Sequence, residues 1–166
     1  MPGEYDDIYG TWNFDVLNGQ GYIAETVYGF GGKQASDGCA AVYGYENTLK
    51  SSRLSLNVFD EYIPEKFAFA FSFYKNMSER ANISLIALGD DTSETKITDF
   101  EIAKDCKWNN YTINFDASSD VYTIYLNGMS VYEGKFEQNY ISDFVFEFKS
   151  EEFEDMYAID NVSLIY

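Results

Sequence analysis

The chain lacks histidine altogether and is poor in cysteine, proline and basic residues. Its 166 residues include two Cys, two Pro, and 11 Lys and Arg against 28 Asp and Glu, for a net charge of -17. Without His, the chain has no side chain of the type most often used as a general base or transition-metal ligand. The acidic balance repels both a phosphate backbone and an anionic lipid surface. We therefore expect neither a nucleic-acid partner nor a membrane partner.

The two cysteines do not define a metal or redox site. Cys39 and Cys106 are too far apart in sequence for a zinc-binding pair, and two cysteines are too few for a disulfide framework. A bridge between them requires two strands that bring their Cα atoms together. A disulfide and two free thiols both stay open from the sequence.

Aromatic residues are abundant, with 15 Tyr, 14 Phe and two Trp. Such residues are enriched in β-strands. Between Phe67 and Phe73 every second residue is Phe, and the alternate positions hold Ala68, Ala70 and Ser72. The Phe residues predict a core face. The small opposite face allows three interpretations, namely cover by a loop, close approach of a ligand, or simple exposure to solvent.

Alternation and turn chemistry predict β-strands throughout the chain. Asn127-Gly128 is the strongest turn, since this pair favours the type I′ hairpin. We predict an all-β fold in a single domain, 1–166, built as a two-sheet antiparallel β-sandwich (jelly roll). The strands are predicted near residues 11–17, 21–28, 40–45, 53–59, 67–75, 82–89, 96–103, 108–115, 121–127, 130–136, 141–149 and 157–165. The residues predicted to face inward are Phe67, Phe69, Phe71, Phe73, Ile113, Phe115, Phe144, Phe146 and Phe148.

Several short segments occur in an order that resembles the jelly-roll carbohydrate-binding modules of families 4 and 22. Asn13-Phe14-Asp15 resembles the "N-F-E" opening of these modules, and residues 35–42 resemble their next conserved strand. Trp108 to Phe115 resembles their "W-x-x-Y/V-x-x-x-F" strand, and Tyr157 to Leu164 resembles the closing "F-Y-I-D-D-V-S-L". The hairpin at 121–128 is more similar to laminin-G and concanavalin-like lectin domains, the broader superfamily.

The resemblance implies a non-catalytic module that binds a polysaccharide. It also implies a monomeric module of a larger multidomain protein, secreted or at the cell surface. We expect a neutral polysaccharide, with plant β-glucan or xylan as the first choice and starch as the second, because 11 basic residues offer little to pair with uronates or sulfates.

The resemblance further implies a structural calcium ion. Asp160 matches the calcium-binding Asp of the closing strand, and Asp15 is a candidate second ligand. Asn161 stands where the family pattern has a second Asp. The alternative is that the Asp160 carboxylate makes only local hydrogen bonds.

Aromatic and amide side chains at outward positions are the candidate sugar contacts, because rings stack on pyranose faces and amides bind hydroxyls. Trp108 and Asn110 are two residues apart on one predicted strand, so their side chains are expected on the same face. The alternative for Trp108 is that its ring packs at the edge of the sandwich. The predicted carbohydrate-binding residues are Trp12, Trp108, Tyr125, Asn110, Tyr43 and Tyr45.

Catalysis is not expected. The Glu-x-Asp-x-x-Glu motif of concanavalin-like glucanases is missing, and Ser or Cys nucleophiles have no His partner. Two alternatives to a carbohydrate-binding module stay open from the sequence. One is a cell-surface adhesion or protein-interaction domain on the same sandwich, and the other is a small polysaccharide lyase or hydrolase domain.

Overall fold

The computed structural model describes about two thirds of the chain. The described residues are 4–7, 10–16, 20–24, 39–43, 51–57, 63–76, 81–89, 93–100, 107–138, 140–149 and 155–165. Side chains are described at 53–55 and, apart from Asn76, in the ranges from 63 onward.

The described residues form thirteen β-strands. These are β1 (Glu4–Asp7), β2 (Gly10–Val16), β3 (Gln20–Ala24), β4 (Cys39–Tyr43), β5 (Ser51–Asn57), β6 (Lys66–Asn76), β7 (Asn82–Leu88), β8 (Glu94–Asp99), β9 (Trp108–Asp116), β10 (Val121–Leu126), β11 (Met129–Lys135), β12 (Asp143–Lys149) and β13 (Met156–Ile165).

The strands form two antiparallel sheets. Sheet A has six strands in the order β1-β2-β5-β12-β7-β8, and sheet B has seven in the order β11-β10-β9-β6-β13-β4-β3. This arrangement confirms the predicted all-β sandwich. Within the described ranges no helix has the length and apolar character needed to cross a membrane.

The predicted strands agree with the observed ones to within a few residues, with one omission. β1 was not predicted because Glu4-Tyr5-Asp6-Asp7 has no apolar alternation. Its conformation depends on pairing with β2, in which Tyr5 lies opposite Trp12. Predicted residues 25–28 and 101–103 lie outside the described part of the chain. Predicted end residues that are described but do not belong to a strand are Gly89, Phe100, Asn127, Phe136, Ile141 and Ser142.

Aromatic rings from the two sheets fill the core. All nine residues predicted to face inward are at most 4% exposed, which confirms that prediction. Phe69 of sheet B stacks on Phe144 of sheet A, with ring centroids 4.3 Å apart and planes 7° from parallel. A stacked pair of this kind adds about 0.5–1.5 kcal/mol to the free energy of burial. The alternation on β6 and β12 therefore brings the two sheets together.

Ion pairs cover the outer face of sheet A. Arg53 on β5 contacts Glu147 on β12 and Glu94 on β8, each at 2.7 Å. A bridge from β5 to β8 crosses β12 and β7, where Val145 and Ile86 lie opposite each other and are at most 5% exposed. Burial raises the pKa of the Glu147 carboxyl, but Arg53 and Lys149 together outweigh this effect and hold that pKa below its usual value. The charges on this face are thus paired with one another around a polar pocket of about 360 Å³, which Ser84, Asp99 and Lys149 help to line.

Tyr122 joins the far end of sheet B to sheet A. Its hydroxyl donates a hydrogen bond of 2.7 Å to the carbonyl oxygen of Ile97 on β8. The ring passes over Gly134 on β11, where an added Cβ would lie 2.4 Å from the ring. A side chain larger than hydrogen at position 134 would therefore displace Tyr122. Burial, together with the neighbouring Tyr132, raises the pKa of Tyr122 to about 12.

Tyr157 and Tyr122 provide a matched test of buried hydroxyls. The Tyr157 hydroxyl is buried and has no hydrogen-bond partner among the described residues, whereas the Tyr122 hydroxyl has one. We expect Tyr157→Phe to leave the free energy of unfolding unchanged or slightly higher, and Tyr122→Phe to lower it by about 1–2 kcal/mol. Urea denaturation of both variants measures this. An equal loss of stability in both would contradict the assignment.

Candidate functional site

The outer face of sheet B differs from that of sheet A in having small and uncharged residues at its centre. Ala68, Ala70 and Ser72 of β6 occupy the outward positions between the neighbouring strands β9 and β13. Ser72 is 3% exposed, and the two alanines are half-buried. Small side chains here lower the surface relative to the strands on either side.

An open groove of about 550 Å³ lies over part of this face. Its central row of cross-strand neighbours is Ile165, Ala68, Asn114 and Thr123, from β13, β6, β9 and β10. Tyr125 contributes to the lining from the adjacent row. The groove thus combines apolar surface with an exposed amide and several hydroxyl groups. Its volume falls within the range of small-molecule sites.

One ion pair lies at the end of the groove where β6 begins and β9 ends. Lys66 Nζ lies 3.3 Å from the Asp116 carboxylate, and both residues line the groove. A hydrogen bond from the Ser118 hydroxyl, together with the charge of Lys66, holds the pKa of Asp116 below its usual value. Among the described residues that line the groove there is one charge of each sign, so this lining carries no net charge, although the whole chain is strongly acidic.

A chain of hydrogen bonds, the amide network, links β9 to the turn after β10 and to β13. The Ser72 hydroxyl donates to Asn110 Oδ1 at 2.8 Å and accepts from Asn161 Nδ2 at 3.2 Å. The Asn110 backbone N–H donates to Asn127 Oδ1 at 2.9 Å, and Asn127 Nδ2 donates to Asn109 Oδ1 at 2.9 Å. These bonds fix the Asn110 side chain on the outer face of sheet B.

Two residues of the amide network have left-handed backbone conformations. Asn127 (φ 49°) precedes Gly128 (φ 85°), which confirms the predicted hairpin turn. Asn161 (φ 51°) lies where the pairing of β13 with β6 shifts register between Asp160 and Ser163. This bulge places one extra residue on β13, and from it the Asn161 side chain reaches Ser72.

Three of the predicted carbohydrate-binding residues share the outer face of sheet B. Trp108 and Asn110 lie on β9, and Tyr125 lies on β10 opposite Thr112. Trp108 is half-buried, and its ring lies 5.7 Å from that of Tyr74 at an angle of 46°. Tyr125 is in the groove, whereas Trp108 is at the opposite end of the β6–β9 pair.

The other three predicted residues are separated from this group or lie outside the described residues. Tyr43 ends β4, in the same sheet, where it is paired with Met156. Trp12 lies in sheet A and is paired with Leu56, which is in turn paired with the core residue Phe144. Tyr45 lies outside the described residues.

The described residues give the calcium hypothesis no support. Asp15 lies on β2 of sheet A and Asp160 on β13 of sheet B. The Asp160 carboxylate accepts a hydrogen bond of 2.7 Å from the backbone N–H of Asn161. Within the described ranges, no three His, Cys, Asp or Glu side chains come close enough together to hold a metal ion. Calcium binding therefore stays a prediction from the sequence.

Several residues of this face were not predicted from the sequence to be part of a binding site. Asn114 and Thr123 carry a weak signal, since each alternates with core residues on its strand. For Ser72 and Asn161 nothing in the sequence indicated their hydrogen bonds, because the partners lie 38 and 89 positions apart. Asn127 was predicted as a turn residue, but its bonds to residues 109 and 110 were not.

Comparisons with known proteins reveal similarity of structure but not of sequence. No protein-family model and no curated protein matches the chain. A sialidase structure superposes on 97% of this chain with a TM-score of 0.59 and 8% identity. The match spans 16% of the length of that sialidase.

Two similar structures are carbohydrate-binding modules. The CBM22-1 xylan-binding domain of Paenibacillus barcinonensis Xyn10C matches with a TM-score of 0.50 and 10% identity, over 98% of this chain and 88% of that one. CBM29_1 of Piromyces equi matches with a TM-score of 0.50 and 8% identity, over 99% and 84%. At such low identity the similarity establishes the fold, a β-sandwich of the kind these modules have.

Trp108 can be tested as a packing residue. We expect Trp108→Ala to lower the free energy of unfolding by about 1–3 kcal/mol, because a half-buried indole loses its contact with the Tyr74 ring. Trp108→Phe, which keeps a ring at this position, should lose less. Thermal denaturation followed by circular dichroism measures both. An unchanged melting temperature for Trp108→Ala would instead indicate a ring that is free to serve as a binding platform.

Proposed function

We propose that this chain is a non-catalytic carbohydrate-binding module that binds a neutral polysaccharide on the outer face of sheet B. The groove bounded by Tyr125, Asn114, Thr123 and Ala68 is the observation that carries this proposal. Two solved structures that match over nearly the whole of this chain and most of their own length are carbohydrate-binding modules, one of them described as xylan-binding.

The chemistry of the groove suits an uncharged sugar. Tyr125 offers a ring for a pyranose face, and exposed Asn114 offers both a donor and an acceptor for hydroxyls. Ala68 lets the ligand approach the sheet closely. Lys66 and Asp116 pair with each other, so a uronate or sulfate would have to compete with an internal carboxylate for the only cation that lines the described groove.

Binding without cleavage is the second part of the proposal. Glycoside hydrolysis generally requires two carboxyl groups on either side of the scissile bond, one of them with a raised pKa. Asp116 is the one carboxylate in the described lining of the groove, and its pKa is lowered. These features favour a binding module over a hydrolase.

In its parent protein, such a module would hold an enzyme or a cell on its polysaccharide. We accordingly propose a secreted or cell-surface location within a larger protein, with plant β-glucan or xylan as the first ligand to examine and starch as the second. A face built on paired strands is preformed, so binding would require little ordering of the protein.

Tyr125 provides the direct test of the groove. A panel of immobilised neutral polysaccharides identifies the ligand, and calorimetric titration with the matching oligosaccharide gives the affinity. We expect Tyr125→Ala to weaken binding by about 1–3 kcal/mol, by analogy with the stacking of bases on aromatic side chains. Tyr125→Phe, which keeps the ring, should retain most of the affinity.

Tyr132→Ala is the matched control, since Tyr132 is an exposed tyrosine of the adjacent strand that does not line the groove. Its affinity should equal that of the wild type. Full affinity in a folded Tyr125→Ala protein would exclude the groove as the site. If no neutral polysaccharide binds the wild-type protein, the carbohydrate proposal itself must be abandoned.

Calcium has a separate test. If calcium binds near Asp160, chelation should lower the melting temperature and re-addition should restore it, because an ion that binds only the native state stabilises it by mass action. Asp160→Asn should remove the response to calcium. An identical melting temperature with chelator and with calcium would contradict the calcium prediction without affecting the sugar-binding proposal.

A further inference from the structure

β11 is an edge strand that is exposed on both of its faces. It ends the strand order of sheet B and pairs with β10 alone among the described strands. Met129, Val131 and Tyr132 are 69%, 53% and 54% exposed. An exposed edge presents unpaired backbone N–H and C=O groups, which can template another strand. Apolar side chains along such an edge favour its burial in an interface.

The register of β10 and β11 shows which backbone groups face outward. Phe136 N–H donates to the Asp120 carbonyl oxygen at 2.8 Å, so these residues form a hydrogen-bonded pair. Because hydrogen-bonded and non-hydrogen-bonded pairs alternate along an antiparallel ladder, Lys135 and Glu133 are non-hydrogen-bonded opposite Val121 and Thr123. Their N–H and C=O groups therefore point away from β10, toward the free edge.

We propose that β11 pairs with β11 of a second copy of this chain, antiparallel and about a two-fold axis at Gly134. In this register Glu133 of each copy lies opposite Lys135 of the other, and each such pair exchanges two backbone hydrogen bonds. Opposite charges on facing residues stabilise an antiparallel pair, and like charges destabilise it. The registers centred on Glu133 or on Lys135 would place like charges opposite each other.

Gly134 suits the position on the axis. It lies opposite its own copy there, and without side chains the two glycines add neither attraction nor repulsion at the axis. Gly134 is already required by the Tyr122 ring, which occupies the space that a Cβ would take. The same residue thus permits both contacts. The net charge of -17 on each copy opposes association, so the dimer depends on these local pairs.

The pairing would also align two grooves. A two-fold axis through an antiparallel edge pair runs perpendicular to the sheet, so the outer faces of both copies of sheet B lie on the same side. If the proposed function is correct, one polysaccharide chain or surface can then contact both grooves, and avidity exceeds the affinity of one site. This consequence rests on the proposed function, whereas the dimer itself does not.

Sedimentation velocity of the full chain, from low micromolar to near-millimolar concentration, tests the dimer. We expect the wild type to shift from monomer toward dimer as its concentration rises. Glu133→Lys places Lys opposite Lys in both pairs and should raise the dimer dissociation constant about tenfold or more. Lys135→Glu should do the same, and the double variant Glu133→Lys/Lys135→Glu should restore dimerisation.

Glu65→Lys is the matched control, because it makes the same change in net charge at an exposed residue outside β11. If repulsion between whole molecules governed association, Glu65→Lys and Glu133→Lys would both strengthen the dimer, whereas the proposal requires Glu133→Lys to weaken it. Circular dichroism confirms that each variant folds.

Three outcomes would overturn the proposal. They are a wild type that stays monomeric at every concentration, a dimer that Glu133→Lys does not weaken, and a double variant that fails to recover. Calorimetric titration with a single-site oligosaccharide should give the same affinity for monomer and dimer. Loss of sugar binding and loss of dimerisation are therefore scored separately.

Discussion

The two-residue period of a β-strand, applied to β6, determines both the core and the candidate site. Phe67, Phe69, Phe71 and Phe73 point inward, and Phe69 stacks on Phe144 of the facing sheet. The same period makes Ala68, Ala70 and Ser72 the outward residues of the strand. Large rings inside give the sandwich its cohesion, and small residues outside leave a depression at the centre of sheet B. A shift of one residue along β6 would exchange the two faces and remove both features.

The outer faces of the two sheets have opposite chemistry. On sheet A, Arg53 joins Glu147 and Glu94, and Lys96 contacts Asp99 at 2.8 Å, so that charges satisfy one another across four strands. A ligand in the pocket on that face would meet charged groups that are already paired with one another. On sheet B the exposed amide of Asn114 and the ring of Tyr125 border an open groove. A sugar requires hydrogen-bonding groups that the protein does not already use. Among the described residues, the exposed amide of Asn114 is such a group, which favours sheet B as the candidate binding face.

Much of the fold could be predicted because it depends on local patterns. The Phe alternation of β6 and β12 predicted the core residues, and Asn127-Gly128 predicted its turn. Strand order could not be predicted in the same way, because β6 lies between β9 and β13, which are distant in sequence. β1 was missed since its four residues adopt a strand only through their pairing with β2.

The candidate site was predictable only in part, for a related reason. Outward parity correctly grouped Trp108 with Asn110, and the pairing of β9 with β10 places Tyr125 on the same face. Parity does not reveal which outward residues border a depression, since this depends on the size of neighbours on adjacent strands. Asn114 and Tyr125 belong to the groove because Ala68, two strands from Tyr125, is small. Trp108 lies beside Tyr74 instead, where two large rings fill the surface.

The amide network helps to hold the outer face of sheet B in one arrangement. Asn127 joins β9 to the turn after β10, and Ser72 joins β6 to β9 and β13. Each bond is modest, about 0.5–1.5 kcal/mol, but together they tie strands from four parts of the sequence at one end of the groove. Such positioning reduces the side-chain ordering that binding would otherwise cost. The bulge at Asn161 contributes to this network. Its extra residue turns the Asn161 amide toward Ser72, whereas a regular strand would direct that side chain to the other face.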